Sequence, residues 1–286
     1  MKDNQMRHAY LIMAHTNFDQ LQALIDLLDD ARNDIYLHID KKVQNLPAVT
    51  ARHSGLFMTD RIDVVWGSYS QIRCEMTLFR AAAEGHYQYY HLISGMDLPL
   101  KTQDEIHAFF KEHNGMEFIA IDPVTETTKD FSFRTQYYHL LTDYAGNGKS
   151  LFRKGLRFLD RVLVSAQKAL HITRKGGAAL YKGANWVSIT DTMVRHILSQ
   201  ETAIEKQFRL SYCADELFLQ SIAMESSLRE NITGTCMRAI DWHRGSPYTY
   251  RAEDVPGLLA SENLWGRKFD CRVDPAAIAA VVAALK

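Results

Sequence analysis

The first 120 residues alternate short apolar runs with amphipathic stretches, and this alternation restricts the fold more than any other feature. Residues 9–14, 35–39, 64–66, 89–93 and 117–120 read as strands. Between them, Leu21, Leu24, Ile25 and Leu28 recur at helical spacing, as do Ile72, Met76, Phe79 and Ala83. Ser68–Gln71 and Thr102–Glu105 fit the capping-box pattern that opens helices. Strands that alternate with helices predict a mainly parallel sheet covered on both faces. After residue 180 the pattern resumes, with a strand at 186–189, helices at 190–199 and 215–224, a short helix from Asp254 and a final one from Asp274. The expectation is an α/β chain forming one domain over residues 1–286.

The middle of the chain departs from this pattern. Between residues 149 and 175 lie Lys149, Arg153, Lys154, Arg157, Arg161, Lys168, Arg174 and Lys175, with Asp160 the only acid. Phe152, Leu156, Leu159 and Leu163 form a helical stripe beneath these cations. Two readings stand: a solvated helix packed on the domain, or a surface that meets anionic lipid. The region is an inserted basic helical segment.

Charge and cysteines narrow the function. A net charge of -1 gives no reason to expect nucleic-acid binding. Cys74, Cys213, Cys236 and Cys271 are widely spaced, which argues against a zinc site or a disulfide framework. The first residues lack the long apolar run of a signal or anchor. The chain therefore reads as a cytoplasmic protein or a trimmed form of a longer one, at the inner face of the membrane if the basic helix meets lipid.

Polar residues follow several predicted strands, where open α/β sheets bind ligands. They are His15, Asp40 and Asp97. Downstream, Asp215 and Glu216 precede an apolar helical run. Arg267 and Lys268 are adjacent cations that could clamp a diphosphate, although a surface pair is the commoner case. Trp186 and Trp242 offer faces for stacking on sugar, although a Trp is more often plain core. The chain contains no D-x-D, no G-x-G-x-x-G and no P-loop glycine pattern. The first absence removes the usual carboxylate clamp for a metal-bound nucleotide sugar. The others weaken dinucleotide and P-loop readings.

Eight segments together resemble one family. They are HAYLIMAH (8–15), IYLHIDKK (35–42), VWGSYSQI (65–72), YYHLISGMDLPLKTQDEI (89–106), GANWVSIT (183–190), ADELFLQ (214–220), IDWHRGSP (240–247) and LWGRKFD (264–270). In this order they resemble the core-2 and I-branching β-1,6-N-acetylglucosaminyltransferases and their peptide O-xylosyltransferase relatives, glycosyltransferase family 14. Residues 124–180 match poorly. The resemblance implies a GT-A-type fold and inverting, metal-independent transfer from a UDP-sugar to a glycan or lipid-linked oligosaccharide, by a bacterial member. It implies N-acetylglucosamine as donor sugar, with xylose or glucose as the alternative and a non-catalytic glycan-binding module as the second. It implies that Glu216 is the base and that Asp40 contacts uridine. Arg267 and Lys268 would bind the diphosphate, with Arg244 or Arg251 as a further cation and His15 in the donor site. Asp97, Trp186, Asp215 and Trp242 would meet sugar or acceptor, and no cofactor or metal would be required.

Overall fold

A computed structural model of the protein describes residues 6–122, 131, 133–174 and 179–286. Its main sheet has seven strands in the order β3-β2-β1-β4-β7-β6-β8. These are β1 (His8–Ala14), β2 (Asn33–Ile39), β3 (Gly55–Met58), β4 (Tyr89–Ser94), β6 (Glu117–Ala120), β7 (Ser188–Thr190) and β8 (Ile232–Gly234). A smaller sheet joins β5 (Asp97–Pro99), β10 (Trp265–Arg267) and β9 (Arg238–Ile240) in that order. The helices are α1 (Phe18–Leu28), α2 (Tyr69–Ala83), α3 (Gln103–Glu112), α4 (Phe133–Gln136), α5 (Thr142–Ala145), α6 (Leu151–Ala169), α7 (Asp191–Ser199), α8 (Glu201–Phe208), α9 (Phe218–Glu225), α10 (Val255–Ala260) and α11 (Pro275–Leu285).

Strands β1, β2, β3 and β4 run parallel, whereas β7 is antiparallel to β4 and β6. Every residue of β2 and β4 is buried. That is the burial of strands covered on both faces, and it explains their near-continuous apolar sequence. Successive side chains point to opposite faces, so neighbours in one strand enter different cores. Leu11 and Leu92 pack with Phe79, Val194 and Phe218 on the side of α2, α7 and α9. Tyr10, Ile12 and Ile93 pack with Leu24, Phe110 and Val281 on the side of α1, α3 and α11. The fold is thus α/β, with a mainly parallel central sheet between helical layers.

Several expectations need correction. The third strand is Gly55–Met58, not residues 64–66. Val64 and Val65 give their polar groups elsewhere: Lys42 Nζ donates to Val64 O (2.6 Å), and Val65 N donates to Ser70 Oγ (2.7 Å). Strand β3 escapes pattern reading because it is an edge strand with Phe57 and Met58 exposed. The strand expected at 186–189 is narrower and shifted, at Ser188–Thr190. The helix expected over 215–224 is broken at Leu217 (φ -124°, ψ -42°), which separates a 3-10 turn, Ala214–Glu216, from α9. Finally, the apolar stripe of α6 is not its packed face. Leu156 and Leu163 are half-buried, but Phe152 and Leu159 point to solvent. The inward contact is polar, with Asp160 Oδ2 2.9 Å from His139 Nδ1. Lys175 of the basic series lies outside the described residues.

Helix ends follow their local chemistry. Ser68 accepts from Ser70 N (3.2 Å), but Gln71 accepts from Gly67 N, so this cap is not the reciprocal box. At α3 the box closes fully: Thr102 Oγ1 accepts from Glu105 N, and Glu105 accepts from Thr102 N. Replacing Thr102 by Ala should lower stability by about 1 kcal/mol, the usual cost of a lost N-cap. Urea denaturation of the two proteins would show it as a shift in midpoint at constant slope.

Candidate active site

Five of the expected residues, His15, Asp40, Asp97, Trp186 and Arg267, lie along one edge of the sheets. His15 follows β1 and Asp40 follows β2 at their carboxyl ends. Strand β7 runs against β4 with Ser188 opposite His91, and Leu92 N donates to Val187 O (2.9 Å). Trp186, just before β7, therefore lies at the same edge as Ser94 and Asp97. Helix α2, whose amino end faces this edge, brings Gln71.

Arg267 is the best-supported cation there. It lies opposite Asp97 in the β10–β5 pair, and its Nη1 donates to Asp97 Oδ1 at 2.7 Å. The other Asp97 oxygen accepts from Ser94 N (2.8 Å), and the carboxylate is buried. The Arg267 guanidinium lies 4.2 Å from the ring centroid of Trp186. One carboxylate and one aromatic face thus fix the guanidinium in place. Asp97 and Trp186, expected at the sugar, here support Arg267. Lys268 follows directly and is half-buried, with its backbone carbonyl accepting from Tyr250 N (3.0 Å).

The other cations are committed elsewhere. Arg244 donates to Asp241 (2.6 Å) and Asp254 (2.7 Å) and lies 4.0 Å over Tyr248. Arg251 donates to Val273 O (2.7 Å). Arg244 remains near Lys268, because Lys268 N donates to Tyr248 O (3.5 Å) and β9, which precedes Asp241, lies beside β10. Trp242 is 61% exposed and free to stack. Asp40 is buried, and both its oxygens accept from Lys42, at 2.9 Å from N and 2.8 Å from Nζ. His15, which is exposed, lies within electrostatic reach of Asp40, Lys42, Arg272 and Arg267.

Glu216 occupies the 3-10 turn and not the first turn of α9, so the helix dipole is not its main partner. Arg134 of α4 is. Arg134 Nη1 lies 2.8 Å from Glu216 Oε2, and Lys182 Nζ is 4.0 Å from the same oxygen. Lys182 also pairs with Asp122 at 2.5 Å. The Glu216 side chain remains 36% exposed. Its backbone carbonyl accepts from Gly183 N (3.1 Å). Three residues later in the same segment comes Trp186, beneath Arg267. A chain spans at most ~3.6 Å per residue, so these two anchor points are no more than about 11 Å apart. The 183–186 segment therefore touches Glu216 through its backbone at one end and Arg267 through the Trp186 ring at the other.

Behind Glu216 the expected Asp215 pairs with a second buried acid, Glu75, that sequence reading missed. Gln71 Nε2 donates to Asp215 Oδ2 (2.8 Å), and Asn185 Nδ2 donates to Glu75 Oε1 (3.3 Å). Burial, then the neighbouring Asp215, raises the Glu75 carboxyl well above its ordinary range. Glu75 had a sequence signal: it sits on the apolar face of α2 with Ile72, Met76 and Phe79. Arg134, Lys182 and Asp122 had none. A cavity of about 440 Å³ adjoins the Glu216 side. Its walls include Trp66, His139, Tyr212, Arg157, Arg161 and Lys168, and Tyr212 N donates to Arg134 O (2.9 Å).

Comparison with known proteins gives the family. The core-2/I-branching enzyme model matches residues 8–259. This chain belongs to that family. Among its relatives, rat xylosyltransferase 2 is 20% identical over 94% of this chain and 32% of its own length. Mouse N-acetyllactosaminide β-1,6-N-acetylglucosaminyl-transferase is 21% identical over 93% of this chain and 69% of its own length. The chain thus spans about a third of the matched xylosyltransferases. Among solved structures, apo mouse xyloside xylosyltransferase 1 aligns over 93% of this chain and 98% of its own, at 10% identity and a TM-score of 0.38.

The acidic pair makes a pH prediction. Burial, with the charge of Glu216 adding, pushes the Asp215 carboxyl up to about 7. An unfolded aspartate titrates near ~4. Between these values the folded state holds a proton that the unfolded state has released, so this contribution to stability is lost as pH rises through about 7. Asp215→Asn, which keeps an oxygen for Gln71, should flatten the decline seen by denaturation between about pH 4 and about pH 7. An unchanged slope would mean that Asp215 is ionised throughout.

Proposed function

We propose that this protein is an inverting glycosyltransferase that moves a sugar from a UDP-sugar to a glycan hydroxyl without a metal ion. The carrying observation is the short 183–186 segment, which ties Glu216 at one end to Trp186 and Arg267 at the other. The acceptor oxygen attacks the anomeric carbon while its proton passes to Glu216. The bond from that carbon to the diphosphate breaks, and its electron pair stays on the departing phosphate oxygen. Arg267 and Lys268 meet the charge that grows there, stabilising the transition state more than the ground state. Pre-fixing of Arg267 by Asp97 and Trp186 means that little reorganisation is needed at that moment. Arg134 holds Glu216 in place.

N-acetylglucosamine in β-1,6 linkage is the proposed transfer, supported by family membership and by the mouse relative. Xylose is the second reading, supported by the number of xylosyltransferase relatives. Turnover across a panel of UDP-sugars separates them. The cavity lined by Arg157, Arg161 and Lys168 suits an amphiphilic acceptor that carries phosphate, such as a lipid-linked glycan in the cytoplasm.

Glu216→Gln should bind UDP as the native protein does and lose about two to four decades of turnover. Near-native turnover would take the base role from Glu216. Lys268→Ala should weaken UDP itself, by about tenfold or more on a titration calorimeter, as expected for a lost charge-assisted contact. Activity should persist in EDTA, and its abolition would contradict metal independence.

A further inference from the structure

Helix α6 presents its apolar side outward. Leu151, Phe152, Phe158, Leu159 and Val162 recur at helical spacing along one face, and all are exposed, with Leu151 at 85%, Phe152 at 74% and Phe158 at 68%. Leu170 and Ile172 extend this exposed surface past the helix end. The opposite face turns inward through Asp160 and the half-buried Leu156 and Leu163. An ordinary surface helix does the reverse and buries its apolar stripe. Contiguous exposed apolar surface of this kind marks a contact with something outside the chain.

Charge identifies the occupant. Lys154, Arg157, Arg161 and Lys168 line one flank between the outward and inward faces, and Arg153 stands beside them. Lys149 precedes the helix. The single acid of the helix, Asp160, is turned inward against His139, so these cations have no carboxylate on their own helix facing solvent. A second copy laid against this face would bring like charges together. A bilayer surface with anionic headgroups supplies both an apolar phase and compensating negative charge. Among the described residues no helix is long and apolar enough to cross a membrane, so α6 would lie in the interface and not span it.

We propose that α6 is an interfacial anchor that seats the protein on an anionic lipid bilayer through Leu151, Phe152, Phe158, Leu159 and Val162. This inference is independent of the sugar-transfer reading, because it is read by binding without donor or acceptor. The test is flotation of the full chain with phosphatidylcholine vesicles, with and without phosphatidylglycerol. Binding should be at least about tenfold stronger with the anionic lipid and should weaken at high salt. The double variant Phe152→Ser, Phe158→Ser should lose binding and keep its unfolding temperature, because both side chains are solvent-facing. Charge reversal by Arg153→Glu and Lys154→Glu should remove the preference for anionic vesicles. Equal flotation of native and serine variants would overturn the proposal. So would a native dimer that the serine variant dissolves while neither floats, since the face would then join two copies.

Discussion

The bond between Arg267 and Asp97 is the constraint on which the rest of the site depends. It closes the small sheet by pairing β10 with β5, and β5 follows β4 of the main sheet almost without a loop. Asp97 is only 1% exposed, so its charge cannot be left alone without a cost of roughly 3–5 kcal/mol. Trp186 closes over the guanidinium from a third direction, on the segment that precedes β7. One ion pair therefore couples the geometry of two sheets to the direction of one cation. In the proposed reaction such fixation helps, because the cation is oriented before charge develops on the leaving group.

The carboxylates behind this edge divide their roles by environment. Glu75 and Asp215 are buried and pushed toward the neutral form, mainly by desolvation. Glu216 is partly exposed and paired with Arg134. Three acids in one neighbourhood could not all ionise cheaply.

Most of the sheet was legible because β1, β2 and β4 are buried on both faces, and their sequences are therefore mostly apolar. Edge strand β3 was not legible, since Phe57 and Met58 are exposed and carry no alternation. The break at Leu217 was also hidden: nothing in the run from Asp215 to Met224 forbids a continuous helix, and tertiary contacts such as Gln71 to Asp215 favour the turn. Candidate residues that follow β2 and β4, Asp40 and Asp97, could be located from position. Their partners could not, because Arg267 meets Asp97 across 170 positions and Arg134 meets Glu216 across 82. In α6 the apolar spacing predicted the helix but not its orientation. Amphipathic pattern fixes which residues share a face and says nothing about which face turns inward.

The most direct measurement is a crystal structure with UDP bound. The account predicts the β-phosphate against Arg267 and Lys268, with the uracil toward Asp40 and the Glu216 carboxylate across the open side of the cleft. A diphosphate seated instead against Arg157, Arg161 and Lys168, in the cavity beside α6, would contradict it.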